Sequence, residues 1–220
     1  MAAATPPIEL VVFDCDGVLI NTEHISIDVD VRVLAALGWS DIDRDTVIDR
    51  FLGRSHNDFV AETERVLGRT LEPGWDTEFQ EWYEDGFARE LVAMDGVLEV
   101  FEQLEIPFCV ASSSGHAHLE RRLTQVGLWP HVAGRIFSAE DVGRGKPFPD
   151  LFLHAAERMG ADPSACLVVE DSVAGIEAAT AAGMQMVAYG ETVAPRERFP
   201  ADVAWIEHMR ELPALIGATV

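Results

Sequence analysis

Short apolar segments alternate along much of the chain with longer segments whose apolar residues recur at helical spacing. Four uninterrupted apolar runs are bounded by polar or glycine-containing turns: Leu10–Phe13, Phe108–Ala111, Cys166–Val169 and Met186–Tyr189. Such runs are typical of buried strands in a parallel sheet. The helices predicted between them cover Val97–Leu104, His118–Val126, Asp150–Met159 and Val173–Ala182. This alternation predicts the α/β class, with a doubly wound, Rossmann-like parallel sheet.

The pattern changes between Thr22 and about Val92. Strand-like runs are missing from this stretch of sequence, and apolar residues such as Ile27, Val31 and Leu34 recur at helical spacing. We therefore predict a small helical cap domain over residues 22–92, inserted after the first strand. The Rossmann-like core would comprise residues 1–21 and 93–220, and a closing strand and helix are predicted from about residue 201.

The balance of charge is strongly acidic, with a formal net charge of −22 over 220 residues. A nucleic-acid-binding surface needs basic residues to neutralise phosphates, so nucleic acid is not an expected partner. No apolar run approaches the roughly 20 residues that span a bilayer, so a membrane is not expected as a partner either. We expect a monomer.

The first apolar stretch is not that of a signal peptide, because no basic residue precedes it and Asp14 and Asp16 interrupt it. The protein is therefore expected in the cytoplasm. The cysteines Cys15, Cys109 and Cys166 are far apart and lack the spacing of metal ligands. We interpret them as reduced packing residues.

Acidic and hydroxyl side chains follow three of the predicted strands where each one ends. Because ligands of α/β sheets bind beyond the carboxyl ends of the strands, we expect these side chains to share one crevice. Four carboxylates in one crevice cannot all stay ionised without a cation, and oxygen ligands favour Mg²⁺ over zinc. The residues concerned are Asp14 and Asp16, Ser112, Ser113 and Ser114, and Glu170 and Asp171.

Lys146 is the only lysine of the chain. It lies in an extended, proline-stiffened segment that leads into a predicted helix. Because the acidic protein would repel an anionic substrate, any phosphate site needs local positive potential from a metal, a lysine and backbone amides. A lone lysine among arginines is a candidate for a point-charge role that a planar guanidinium does not fill equally well.

Four motifs of the chain, in order, resemble those of the haloacid dehalogenase-like superfamily: FDCDGVL, VASSS, GKPFPD and VEDSVAGIEAATAAGM. The resemblance extends from Val11 to Gly190. The helical insertion is similar to the cap of the β-phosphoglucomutase-like branch, which includes many sugar-phosphate phosphatases. The resemblance implies a magnesium-dependent phosphatase that acts on a small phosphorylated metabolite, such as a sugar phosphate.

The same resemblance implies catalytic roles for four residues. Asp14 would attack phosphorus and form an aspartyl-phosphate. Asp16 would be the acid toward the leaving oxygen and then the base toward water. Ser112 would donate a hydrogen bond to the transferring phosphoryl group, and Lys146 would hold that group and Asp14 by its charge.

Metal and substrate contacts are implied as well. Mg²⁺ would bind Asp14, the backbone carbonyl of Asp16 and Asp171, with Glu170 orienting the ligand shell. The amide of Ser113 would also bind the phosphoryl group. The residues expected to contact the substrate are Gly17 and Ser113 in the core and Arg54, Ser55 and His56 in the cap.

Two other reactions of the superfamily do not suit this sequence. Its dehalogenases work without metal and lack the second acid of the first motif, whereas Asp16 is present. Its phosphonatases form a Schiff base through a cap lysine, but Lys146 belongs to the third motif.

A sugar-phosphate mutase remains the alternative, because it shares the whole core. A mutase must grip a second phosphate, and Leu52, His56 and Gly115 stand where basic residues would be expected. Hydrolysis is therefore favoured. A non-catalytic binding or regulatory protein on the same fold would be expected to lack some of the motif acids or the lysine, and all are present.

Overall fold

The computed structural model describes residues 6–51, 56–190 and 195–217, with the side chains of residues 56–58 left aside. The chain divides into two compact units. The smaller unit comprises residues 22–91, and the larger one comprises residues 1–21 and 92–220. Each unit has its own hydrophobic core.

The smaller unit is helical, as the spacing of its apolar residues predicts. Gly86 allows two of its helices to pack closely, because a Cβ atom there would lie 2.8 Å from the Ile25 side chain. Val29, Val33 and Phe79 form the centre of its core. The helices are α1 (Thr22–Leu37), α2 (Arg44–Phe51), α3 (His56–Leu67) and α4 (Gln80–Glu90).

The larger unit is built on a six-stranded sheet in the order β3-β2-β1-β4-β5-β6, and all pairs are parallel. The predicted doubly wound α/β class is confirmed. The chain reverses its winding between β1 and β4, and sheets of this kind bind ligands beyond the carboxyl ends of the strands at that point. The strands are β1 (Leu10–Phe13), β2 (Phe108–Ser112), β3 (Ile136–Ser138), β4 (Cys166–Glu170), β5 (Gln185–Tyr189) and β6 (Ala204–Ile206).

Four helices of the larger unit lie within two residues of the bounds predicted for them, whereas the short helix Trp129–Val132 was not predicted. Two of them, α8 and α9, have the predicted bounds, and Ser172 begins α9 by accepting a hydrogen bond from the Gly175 amide at 3.0 Å. Gly183 ends α9 with a φ of 71°, a backbone conformation that favours glycine. The helices are α5 (Val97–Gln103), α6 (His116–Gln125), α7 (Trp129–Val132), α8 (Asp150–Met159), α9 (Val173–Ala182) and α10 (Leu212–Gly217).

Small side chains dominate the core between the sheet and two of its helices. Ala155 and Ala156 of α8 and Ala178 and Ala179 of α9 pack against the sheet. Cys109 and Cys166 belong to the same cluster, and Cys15 is buried as well. The three cysteines are free, as predicted. Among the helices described, none is both long and apolar enough to cross a bilayer.

Asp30 on α1 is a partly buried acid, and Tyr83 of α4 donates a hydrogen bond to it. Burial raises the pKa of Asp30 from 3.8 to about 6, and the hydrogen bond from Tyr83 opposes this shift. A carboxyl group whose pKa is raised by folding destabilises the folded state once it ionises. The stability lost to Asp30 therefore grows as the pH rises from about 4 through 6.

Replacement of Asp30 by asparagine should remove this pH dependence, because the amide still accepts a hydrogen bond from Tyr83 but carries no charge. We expect the gain in unfolding free energy for Asp30→Asn to be about 2 kcal/mol larger at pH 7.5 than at pH 4.5. Denaturant unfolding at the two pH values measures it. The exposed Asp41→Asn change is the control, and an equal pH response of the two variants would refute the prediction.

Candidate active site

The loop after β1 places the first acidic pair at the carboxyl edge of the sheet. The Asp14 amide continues the pairing with β4 by donating to the Val169 carbonyl at 2.9 Å. Gly17 has a φ of 81°, and its amide donates to the Ile20 carbonyl at 2.8 Å to close a tight turn. The positive φ explains why glycine stands at position 17.

Lys146 binds two carboxylates at once. Its Nζ atom lies 2.5 Å from Asp14 Oδ1 and 2.6 Å from Glu170 Oε1. The lysine side chain is 6% exposed, and the two carboxylates are buried. The only lysine of the chain thus connects the end of β1 to the end of β4.

Glu170 is fully engaged by its neighbours. Its Oε1 atom accepts from Lys146, and its Oε2 atom accepts from both the amide and the hydroxyl of Ser172 at 2.8 Å. The carboxyl group packs directly on Gly175 of α9, where an added Cβ atom would overlap it. Glu170 is therefore placed to hold Lys146 in position.

The site carries more negative than positive charge. Burial raises the pKa of Asp14 above its ordinary value, Lys146 opposes the shift, and Glu170 and Asp16 add to it. Burial alone would lower the pKa of Lys146, but Asp14 and Glu170 outweigh burial and raise it above its usual range. One ammonium does not balance the carboxylates, so an additional cation would stabilise the ionised form of Asp14.

Three buried carboxylates converge in a way that suits such a cation. Asp14, Glu170 and Asp171 each offer an oxygen, and these oxygens lie within 4.8 Å of one another. An all-oxygen donor set of carboxylates fits a hard divalent cation. Because Glu170 already binds Lys146 and Ser172, the other two carboxylates are the ones best placed as direct ligands.

Asp16 has a separate set of partners. Its Oδ2 atom accepts from Ser114 Oγ at 2.7 Å and from Ser112 Oγ at 3.3 Å. Its Oδ1 atom lies 3.2 Å from Nη1 of Arg122 on α6. Ser138 at the end of β3 donates to the Ser114 carbonyl at 2.8 Å and so supports the serine loop.

Arg122 was not identified from the sequence, and Ser114 was noted only as part of the serine run after β2, without a role of its own. For Arg122, the available signal is its place between Leu119 and Leu123, which form the buried side of α6.

The predicted core residues gather at this edge of the sheet. Asp14, Lys146, Glu170 and Asp171 form one cluster, and Ser112 joins Asp16 beside it. Ser113 is exposed in the same loop. The predicted cap residues Arg54 and Ser55, and the side chain of His56, lie outside the described part of the chain.

Comparison with protein families matches residues 8–183 to the haloacid dehalogenase-like hydrolases. The 6-phosphogluconate phosphatase of Escherichia coli (strain K12) is 29% identical over 212 residues, which cover 94% of each protein. The probable pseudouridine-5'-phosphatase of Drosophila melanogaster is 32% identical over 80% of this chain and 79% of its own length.

Solved structures agree with this family. A haloacid dehalogenase-like protein of unknown function from Agrobacterium tumefaciens str. C58 has a TM-score of 0.88 and 35% identity, covering 96% of this chain and 98% of that one. A hydrolase from Deinococcus radiodurans R1 with bound phosphate and sodium has a TM-score of 0.81 and 28% identity, covering 96% and 97%.

A Cβ atom at position 175 should displace the carboxyl group that holds Lys146. We expect Gly175→Ala to lower the free energy of unfolding by about 3 kcal/mol, because the buried site is overpacked and its ion pairs are disturbed. Denaturant unfolding measures the loss. Gly217→Ala on α10 is the matched control, because no atom of the described residues lies within 4 Å of a Cβ there. Equal stabilities for the two variants would contradict the prediction.

Proposed function

The chain belongs to the haloacid dehalogenase-like hydrolase family and is a phosphoric monoester hydrolase, and we propose that it cleaves a small phosphorylated metabolite through an aspartyl-phosphate on Asp14. The observation that carries the proposal is the buried contact of Asp14 with Lys146 beside two further carboxylates. This arrangement supports the proposal because it brings the proposed nucleophile, a fixed positive charge and candidate metal ligands together.

The first chemical step transfers the phosphoryl group to the protein. A carboxylate oxygen of Asp14 forms a bond to phosphorus while the bond from phosphorus to the ester oxygen of the substrate breaks. The departing oxygen takes a proton from the carboxyl group of Asp16 and leaves as an alcohol. Lys146 stabilises the negative charge of Asp14 and of the phosphoryl oxygens.

The second step returns the protein to its starting state. A water molecule attacks phosphorus and gives a proton to the Asp16 carboxylate. The bond between phosphorus and Asp14 breaks, so that inorganic phosphate leaves and both aspartates are restored. The hydroxyl group of Ser112 and the backbone amide of Ser113, at the end of β2, are proposed to donate hydrogen bonds to the phosphoryl group in both steps.

Mg²⁺ is the proposed cofactor. Asp14, Asp171 and the backbone carbonyl of Asp16 would hold it. Glu170, beside Lys146, would orient the ligand shell. When bound, the ion would neutralise phosphoryl charge and lower the pKa of Asp14. It would also add positive charge at the site of a protein whose net charge of −22 repels an anionic substrate.

The substrate is proposed to be a small phosphomonoester, such as a sugar phosphate or a phosphorylated sugar acid. The names of similar proteins support this class, since they specify phosphatases of 6-phosphogluconate and of pseudouridine 5'-phosphate. Gly17, Arg54, Ser55 and His56 are kept as proposed substrate contacts. Three free cysteines suit a reducing compartment, and a cytoplasmic monomer remains part of the proposal.

The surroundings of Gly115 favour a phosphatase over a sugar-phosphate mutase. Glu140 accepts a hydrogen bond from the amide of His116 at 3.1 Å, at the start of α6. Its carboxylate also packs on Gly115, where a Cβ atom would overlap it. A negative charge therefore lies where a mutase would be expected to carry a basic residue, and it would repel a second phosphate.

Activity should require both the metal and the proposed nucleophile. In a panel of small phosphomonoesters, we expect phosphate release with Mg²⁺, its loss with excess chelator, and a fall of at least about 1,000-fold in Asp14→Asn. An amide is a far weaker nucleophile than a carboxylate. Colorimetric measurement of phosphate gives the rates.

The exposed Asp202→Asn change is the matched control and should keep wild-type activity. Phosphate release that persists in Asp14→Asn would refute the aspartyl-phosphate. Conversion of a sugar phosphate to its isomer without net phosphate release would instead identify a mutase.

A further inference from the structure

Arg122 lies outside the four motifs, yet it reaches the active-site loop. It is placed on the inner side of α6 by its neighbours Leu119 and Leu123, which are buried. Its side chain is 13% exposed, and its Nη1 atom lies 3.2 Å from Asp16 Oδ1. A largely buried guanidinium needs an anionic partner, and this partner is the proposed acid and base of the reaction.

The contacts of Asp16 fix its carboxyl group at both oxygens. Arg122 approaches Oδ1, whereas the hydroxyl group of Ser114 donates to Oδ2. With one oxygen held, the group can still rotate about the Cβ–Cγ bond. With both held by donors from different elements, the plane of the carboxyl group and its direction are set.

We propose that Arg122 is a positioning residue that orients Asp16 for proton transfer to the leaving group. This inference rests on the proposed phosphatase function. Arg122 does not touch the reacting atoms in this arrangement but acts through Asp16. A guanidinium suits the task because its donors are fixed in one plane, whereas an ammonium is a mobile point charge.

The dependence on the leaving group distinguishes orientation of Asp16 from a general structural role. An alkoxide leaving group needs a well-placed proton donor, whereas p-nitrophenolate departs as a stable anion. A misdirected Asp16 should therefore slow the cleavage of an alkyl phosphate much more than that of p-nitrophenyl phosphate. Damage to the fold or to phosphate binding would slow both alike.

The experiment compares p-nitrobenzyl phosphate and p-nitrophenyl phosphate, which are similar in shape and release an alkoxide and a phenolate. The value of kcat/KM reports the steps up to phosphoryl transfer. For Arg122→Gln we expect kcat/KM to fall about 10-fold with the benzyl ester and at most about 2-fold with the phenyl ester. Arg122→Lys should recover part of the lost benzyl activity.

Arg121→Gln, at the exposed neighbouring position on α6, is the matched control for the change in charge. It should leave the ratio of the two kcat/KM values unchanged. If Arg122→Gln fails to fold, as judged by its thermal transition, Arg122→Lys carries the test and should change the ratio in the same direction.

Equal losses on the two esters, or no loss on either, would overturn the role of Arg122. A wild-type enzyme that releases phosphate from neither ester and from no member of the phosphomonoester panel would instead overturn the proposed function. The two failures are therefore distinguishable in one set of measurements.

Discussion

The contact of Lys146 with Asp14 and Glu170 is the constraint on which the site depends. A buried ammonium or carboxylate is costly unless it is paired, so none of the three side chains could occupy its place alone. The ends of β1 and β4 and the segment before α8 must therefore be in position together. Because β1 and β4 are neighbours in the sheet, with Phe13 paired to Val169, the backbone hydrogen bonds already bring two of these three parts together.

Small residues make the close approach possible. The carboxyl group of Glu170 occupies space that a side chain at Gly175 would fill. The hydroxyl group of Ser172 accepts a hydrogen bond from the Gly175 amide at the start of α9 and donates one to Glu170. The start of α9 and the position of Lys146 are thus coupled through one carboxylate. In this way a local helix-capping interaction contributes to the geometry of Asp14, the proposed nucleophile.

The strength of the local signal decides how much could be predicted from the sequence. The four predicted strands are confirmed. They could be predicted because uninterrupted apolar runs leave few alternatives to a buried strand. The structure extends β2 to Ser112 and β4 to Glu170, since backbone pairing with β3 and β5 continues under polar side chains. The short edge strand β3 was missed because three residues carry too little pattern. Arg122 was missed because its role depends on how α6 packs, which helical periodicity alone does not specify.

Screening limits how strongly the acidity of the whole chain acts on the site. Charges beyond about 8 Å are largely screened at physiological ionic strength, so distant surface acids contribute little to the site. Within that distance Lys146 faces Asp14, and Arg122 faces Asp16. Each cation thus holds one proposed catalytic aspartate, the first the nucleophile and the second the acid and base. Because the two aspartates have different partners, the orientation of one can be altered without removing the charge that holds the other.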